Sequence, residues 1–211
     1  RSGNHLVRAI MEAYTNRPTE GCLGAKRDTP IHQRAANGTK LIRIRSDQPV
    51  GYKAHSLREM HERDRNATEG PMGVILVTRD PVTAISSQTT RILSNRRKYP
   101  WVTSRRKRIV IQEQIDLYLA LVFRYASQNE GSRVHVRFED LVSKKTADRA
   151  VNEFLNKLGV SLNGPSLTEI SALAKESQTS LGTKGQDLKR EIEEEVQERL
   201  TYEEVLSYIQ Q

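Results

Sequence analysis

The sequence predicts an α/β fold with a mainly parallel central sheet flanked by helices. Three observations predict it. GVILVT (73–78) holds four consecutive apolar residues, Val74 to Val77, and is bounded by Gly73 on one side and Arg79-Asp80-Pro81 on the other. Such a short, β-branched apolar run reads as a buried strand. RVHVRF (133–138) alternates apolar and polar residues with the period of a strand. Segments with helical spacing lie before, between and after these two, and strands alternating with helices favour a parallel sheet.

Taken in order, residues 5–14 form a helix with Leu6, Val7, Ile10 and Met11 on one side. Residues 17–38 are polar and carry Pro18, Gly21, Gly24 and Pro30, which predicts a loop. Short strands are expected at 41–45 and 50–53, and a helix at 57–66. After the 73–78 strand, Pro81 suits the first turn of a helix running to about Leu93. A long helix over 107–127 carries Ile111, Ile115, Leu119 and Val122. Residues 147–158 are amphipathic and stop at Gly159, a residue suited to the left-handed turn that ends helices. Residues 167–174 read as helical, 177–185 as a Ser/Thr/Gly loop, and 188–210 as one or two helices.

Composition bounds the partners. The chain has 211 residues, 36% hydrophobic and 28% charged, enough for a single domain over 1–211. No apolar run approaches the roughly 18 residues of a membrane helix. The lone Cys22 excludes an internal disulfide and a multi-cysteine zinc site, and fits a reducing, cytoplasmic setting. The formal net charge of +8 favours an anionic partner. The charge is uneven: 91–108 holds eight basic residues and no acid, whereas 191–204 is mostly acidic. Solvated surface is the simplest account of both runs.

In an open α/β sheet, ligands bind beyond the carboxyl ends of the strands, where a strand hands over to a helix. Two such places stand out. Arg1-Ser2-Gly3-Asn4-His5 opens on a helix. Gly3 permits a tight turn, the free N–H groups of the helix start carry partial positive charge, and Arg1 adds a permanent cation. That is a plausible anion cradle, and equally an ordinary helix cap. VILVTRDPVTAISSQ puts Arg79 directly after the strand, with Ser86 and Ser87 about two turns into the next helix. A guanidinium and a hydroxyl so placed can hold a phosphate. The bland alternative is that Arg79-Asp80 merely pairs and caps the helix.

This pattern resembles the sulfotransferases that use 3′-phosphoadenosine 5′-phosphosulfate (PAPS). Arg1-Ser2-Gly3-Asn4 is similar to the family's first motif, which holds the 5′-phosphosulfate. Arg79-Asp80-Pro81, with Ser87 eight residues after the arginine, is similar to the second, which holds the 3′-phosphate; Ser86 is the near miss. GYKAHSL resembles the family's Lys-Thr-His segment, which implies roles near the transferred group for Lys53 and His55, with Ala54 in place of the usual Thr. VRFEDLVSKKTADRAVNEFLNKLGV resembles the strand-Glu-Asp-Leu stretch and the helix after it. The resemblance runs in order from Arg1 to about Val160. It implies a three-layer sandwich of the P-loop NTPase-like kind, with the family's first strand lying before Arg1, so that 1–211 is expected to be an N-terminally truncated domain.

The departures are specific. His5-Leu6 stand where the family commonly carries an aromatic, and His5 is taken as the last residue of the first cofactor-binding turn. The Arg-Lys-Gly segment near the C-terminal end is absent; in TSLGTKGQDLK, Lys184 is its expected substitute.

The implied chemistry is in-line transfer of a sulfuryl group to a hydroxyl or amine of a small-molecule or glycan acceptor, leaving the desulfated nucleotide, PAP. Positioning and charge stabilisation dominate in the analogous phosphoryl transfers. Arg1 and Lys53 would stabilise charge, and His55, or Glu20 as a fallback, would take the acceptor's proton. The sequence carries no GxxxxGK[ST] and no evident Mg²⁺ carboxylate site, against a kinase-like P-loop enzyme. A nucleic-acid binder using 91–108, where Tyr99 and Trp101 interleave the basic residues, is the non-enzymatic rival; under the main reading no nucleic-acid partner is expected. A PAP-binding member without activity is the third possibility.

Overall fold

A computed structural model describes residues 4–20, 50–52, 73–94, 103–164, 166, 170 and 183–210. The described residues form a mixed α/β structure, mostly helical. Its elements in chain order are α1 (Asn4–Thr15), β1 (Thr19–Glu20), β2 (Gly51–Tyr52), β3 (Val74–Thr78), α2 (Pro81–Leu93), α3 (Ser104–Ala126), a 3₁₀ turn (Glu130–Ser132), β4 (Arg133–Arg137), α4 (Phe138–Val142), α5 (Ala147–Lys157), α6 (Thr183–Gln197) and α7 (Tyr202–Gln210). Among the described residues the strands pair two by two. β1 lies parallel to β2 with Thr19 opposite Gly51 and Glu20 opposite Tyr52, and β3 neighbours β4. The strand expected at 41–45 and the helix expected at 57–66 lie outside the described residues, as does all of the 167–174 segment except Ile170.

The chain divides into two compact units. One comprises Gly3–Val77 and Gly131–Gln178. Its core joins α1, β4, α4 and α5 through Leu6, Ile10, Val134, Val136, Leu141, Phe154 and Leu155, together with Ile170. The alternation of RVHVR places Val134 and Val136 in that core, as its period requires. α5 ends as its sequence predicts. Gly159 takes φ +65°, its N–H donates to the carbonyl of Asn156, and Val160 N–H donates to that of Leu155, the paired bonds of a Schellman turn. Inside this unit lies a polar cluster. Arg8 is 6% exposed and Glu12 0%. Arg8 Nε donates to Thr19 Oγ1 at 2.8 Å, while Glu12 Oε1 accepts from Thr19 N at 2.9 Å and from its hydroxyl at 2.5 Å. These bonds tie α1 to the start of β1.

The other unit comprises Arg1–Ser2, Thr78–Glu130 and Thr179–Gln211. Here α2 meets α3 and α6, and α3 meets α7. The buried apolar residues include Ile85 and Leu93 of α2, Val110, Ile111 and Ile115 of α3, Ile192 and Val196 of α6, and Val205 of α7. α7 begins with a capping box: Thr201 Oγ1 accepts from Glu204 N, and Glu204 Oε2 accepts from Thr201 N at 2.7 Å. These bonds to Thr201 hold the Glu204 carboxyl below its ordinary pKa. The basic and acidic runs of the sequence meet in this unit. Lys107 Nζ of α3 lies 3.2 Å from Glu191 and 3.8 Å from Glu195 of α6, so these groups pair across a helix interface instead of only facing solvent.

Four expectations need correction. The loop read over 17–38 carries a strand, β1, at Thr19–Glu20, where pairing with Gly51–Tyr52 overrides the local turn residues. The 73–78 strand was expected to be buried; Val74 to Val77 are half-buried, with Ile75 and Val77 packed against the core, and Thr78 is buried. Among the described residues it has β4 alone as a strand neighbour. The long helix starts earlier than residue 107, because Thr103 caps it by accepting from Arg106 N. The loop expected over 177–185 gives way to α6 at Thr183. Gly185 weakens a helix by about 1 kcal/mol relative to Ala, which the helix formers of DLKREIEEEV outweigh.

Candidate functional site

The turn from β3 into α2 is the best-described part of the predicted site. Pro81 occupies the first helical position, where its missing N–H costs no hydrogen bond. Asp80 is the N-cap, with Oδ2 accepting from Thr83 N at 2.8 Å. The helix-capping alternative is therefore realised for Asp80, and it has a consequence. Pro81 offers no N–H, that of Thr83 is taken and that of Ala84 goes to the Asp80 carbonyl, so Val82 N–H, Arg79 and the α2 hydroxyls are the candidates to hold an anion at this turn.

The same turn is tied to two other helices. Tyr118 of α3 donates its hydroxyl to the carbonyl of Arg79 at 2.8 Å. The Thr78 hydroxyl, 1% exposed, lies 3.1 Å from the hydroxyl of Tyr202 on α7. Thr78, Arg79 and Asp80 are thus fixed by α7, α3 and α2 in turn.

The two candidate serines differ. Ser86 is 0% exposed; its hydroxyl lies 3.3 Å from the Thr83 carbonyl and 3.4 Å from Glu193 Oε1 of α6, and its single proton can go to either. Glu193 also pairs with Lys189 at 2.9 Å. Ser86 is thereby a contact between helices, set beside a carboxylate that would repel a phosphate. Ser87, the next residue round the helix, is half-buried and retains a solvent-facing fraction. Of the two, Ser87 is the one able to meet a ligand.

The remaining predicted residues are less completely described. Asn4 and His5 form the start of α1, so a helix does begin at the first motif, but their side chains lie outside the description. Arg1, Ser2, Gly3, Lys53 and His55 lie outside the described residues. Glu20 is in β1 and Lys184 in the first turn of α6, with side chains outside the description. For Lys184 this corrects the expected loop position to a helical one.

Two features had no signal in the sequence. Tyr118 and Tyr202 are tyrosines on helices, and nothing local marks them as partners of residues 79 and 78. The other is a cleft of about 200 Å³ lined by Val134 to Arg137 of β4, Asp140 of α4, and Ala150, Glu153, Phe154 and Lys157 of α5. His135 borders it. Burial, and then the Arg137 cation, push its imidazole down to about pKa 4, with Asp140 opposing and Lys157 adding to the depression. It is neutral at physiological pH, among charges of both signs.

Compared with protein-family models, curated proteins and solved structures, the chain gives no significant match in any of the three.

Proposed function

We propose that the chain is a PAPS-dependent sulfotransferase acting on a hydroxyl or amine, built on a three-layer, P-loop-like α/β sandwich. The observation that carries the reading is the strand–Arg79-Asp80-Pro81–helix unit, in which Ser86 is taken up by helix packing and Ser87 is left half-exposed. The family pattern needs an arginine at the strand end and a serine eight residues later, and Ser87 is that serine. Supporting it are a helix beginning at Asn4, where Arg1-Ser2-Gly3-Asn4 would hold the 5′-phosphosulfate, and the strand at Gly51–Tyr52 leading to Lys53 and His55.

In this reading Arg79 and Ser87, with Lys184, hold the 3′-phosphate. Arg1 and Lys53 stabilise negative charge on the sulfuryl oxygens and on the oxygen that leaves with PAP. His55 accepts the proton of the acceptor hydroxyl or amine as the new bond to sulfur forms and the bond to the 5′-phosphate oxygen breaks. Each electrostatic donor of this kind is typically worth roughly 3–4 kcal/mol in kcat. General-base help adds about 10²–10⁴-fold.

Calorimetry with PAP and a transfer assay test the proposal. PAP should bind, Arg79→Ala should weaken it by on the order of 10-fold or more, and His55→Ala should lose most turnover while keeping PAP affinity. A chain that gives neither heat nor thermal stabilisation with PAP is not this enzyme. The rival reading has its own support, since Arg91, Arg105 and Arg108 are exposed. It requires steeply salt-dependent binding of DNA or RNA and indifference to PAP.

A further inference from the structure

The proposed site depends on where the Arg79 side chain starts from, and the backbone of Thr78, Arg79 and Asp80 sets that starting direction. A strand end leading into a helix has two soft dihedrals at each residue unless its peptide groups are held. Here the holding is specific. The Arg79 carbonyl receives the Tyr118 hydroxyl at 2.8 Å, which fixes the 79–80 peptide plane. The buried Thr78 hydroxyl meets Tyr202 at 3.1 Å, which fixes the residue before it. Asp80 is fixed by its bond from Thr83 N at 2.8 Å. The two tyrosines lie 39 and 124 residues away along the chain, on α3 and α7, so neither contact arises from the local fold of the turn. Both hydroxyls are neutral and add no charge beside the arginine.

We infer that Tyr118 and Tyr202 are positioning residues for binding of a 3′-phosphorylated nucleotide, acting through Arg79 by locking the turn that carries it. This inference rests on the sulfotransferase reading of the same site. Tyr118 has the larger part, because it bonds the arginine's own peptide group. Tyr202 acts one residue further back.

The test uses the full chain and two ligands: PAP, and adenosine 5′-phosphate, which lacks the 3′-phosphate. Tyr118→Phe keeps the ring and deletes only the hydroxyl. It should raise the Kd for PAP about fivefold, the scale of one hydrogen bond, and leave the Kd for adenosine 5′-phosphate unchanged. In the transfer assay the KM for PAPS should rise while kcat holds. Tyr202→Phe should give the same pattern at about twofold. On an Arg79→Ala background, Tyr118→Phe should have no further effect on PAP, since the group it aims is gone. Equal loss of affinity for both nucleotides marks a merely structural role and overturns the inference. So does an unchanged Kd for PAP in Tyr118→Phe, or full additivity with Arg79→Ala. Failure of the underlying reading looks different: the wild-type chain then shows no preference for PAP over adenosine 5′-phosphate, and both conclusions fall.

Discussion

Two buried polar clusters, each in its own unit, tie a strand or turn to helices in different ways. The Arg8–Glu12–Thr19 cluster uses ionisable side chains, with one carboxyl oxygen taking two bonds from one threonine. The cluster at Thr78–Arg79 uses neutral hydroxyls from Tyr118 and Tyr202, one bond each. Burying charges carries a large desolvation cost, so the first arrangement is stable only when complete. A neutral hydroxyl costs little to place and little to remove. Loss of a partner should therefore cost the first cluster more stability than the second, whose bonds hold the backbone and hydroxyl of one turn.

Removing the carboxylate from the charged cluster sharpens that contrast most. Glu12→Ala should cost about 3–5 kcal/mol, because two buried donors, Thr19 N–H and hydroxyl, lose their acceptor. Urea unfolding measures it. A loss below about 1 kcal/mol would make the two clusters equivalent.

Acid is the next probe of the same unit. The imidazole of His135 has its pKa lowered to about 4 in the folded chain, against the ordinary 6.5. The unfolded chain therefore binds the proton first. Stability from this group is fully present above about pH 6.5 and is lost as pH falls towards 4, by up to ~3 kcal/mol. His135→Gln should flatten the stability–pH curve across that window. An unchanged slope would show that other groups dominate.

The smallest effects separate the two serines of α2. Ser86→Ala should lower stability by about 1 kcal/mol through its lost contact with Glu193, and leave PAP affinity alone. Ser87→Ala should leave stability nearly unchanged and weaken PAP about fivefold. Reversed outcomes would move the candidate site to the other serine and break the assignment of Ser86 to helix packing.

Much of the local structure was legible because its causes are local. Pro81 and Asp80 mark the start of α2, and Leu93 ends it where the periodicity does. Gly159 stops α5 through its positive φ. The alternation in RVHVR announces β4 and its buried valines. Where a reading missed, a cause outside the pattern was at work. The Thr103 cap moved the start of α3, and strong helix formers after Gly185 carried α6 back to Thr183. The run Val74 to Val77 reads as buried, and an apolar stretch does not say how deeply each of its residues sits.

By itself, then, the chain's residue order determined most of the described helices, the two clearest strands, and the Asp80-Pro81 start of α2 directly after Arg79. Only the tertiary structure decided that Ser86 is buried in helix packing while Ser87 is half-buried, that Arg8 and Glu12 lie inside, and that Tyr118 and Tyr202 bond the Arg79 turn. Capping and periodicity act over a few residues, so they can be read in one window. Burial and hydrogen-bond partners depend on which distant segments meet, and residues 39 and 124 positions apart leave no mark on one another's neighbourhoods.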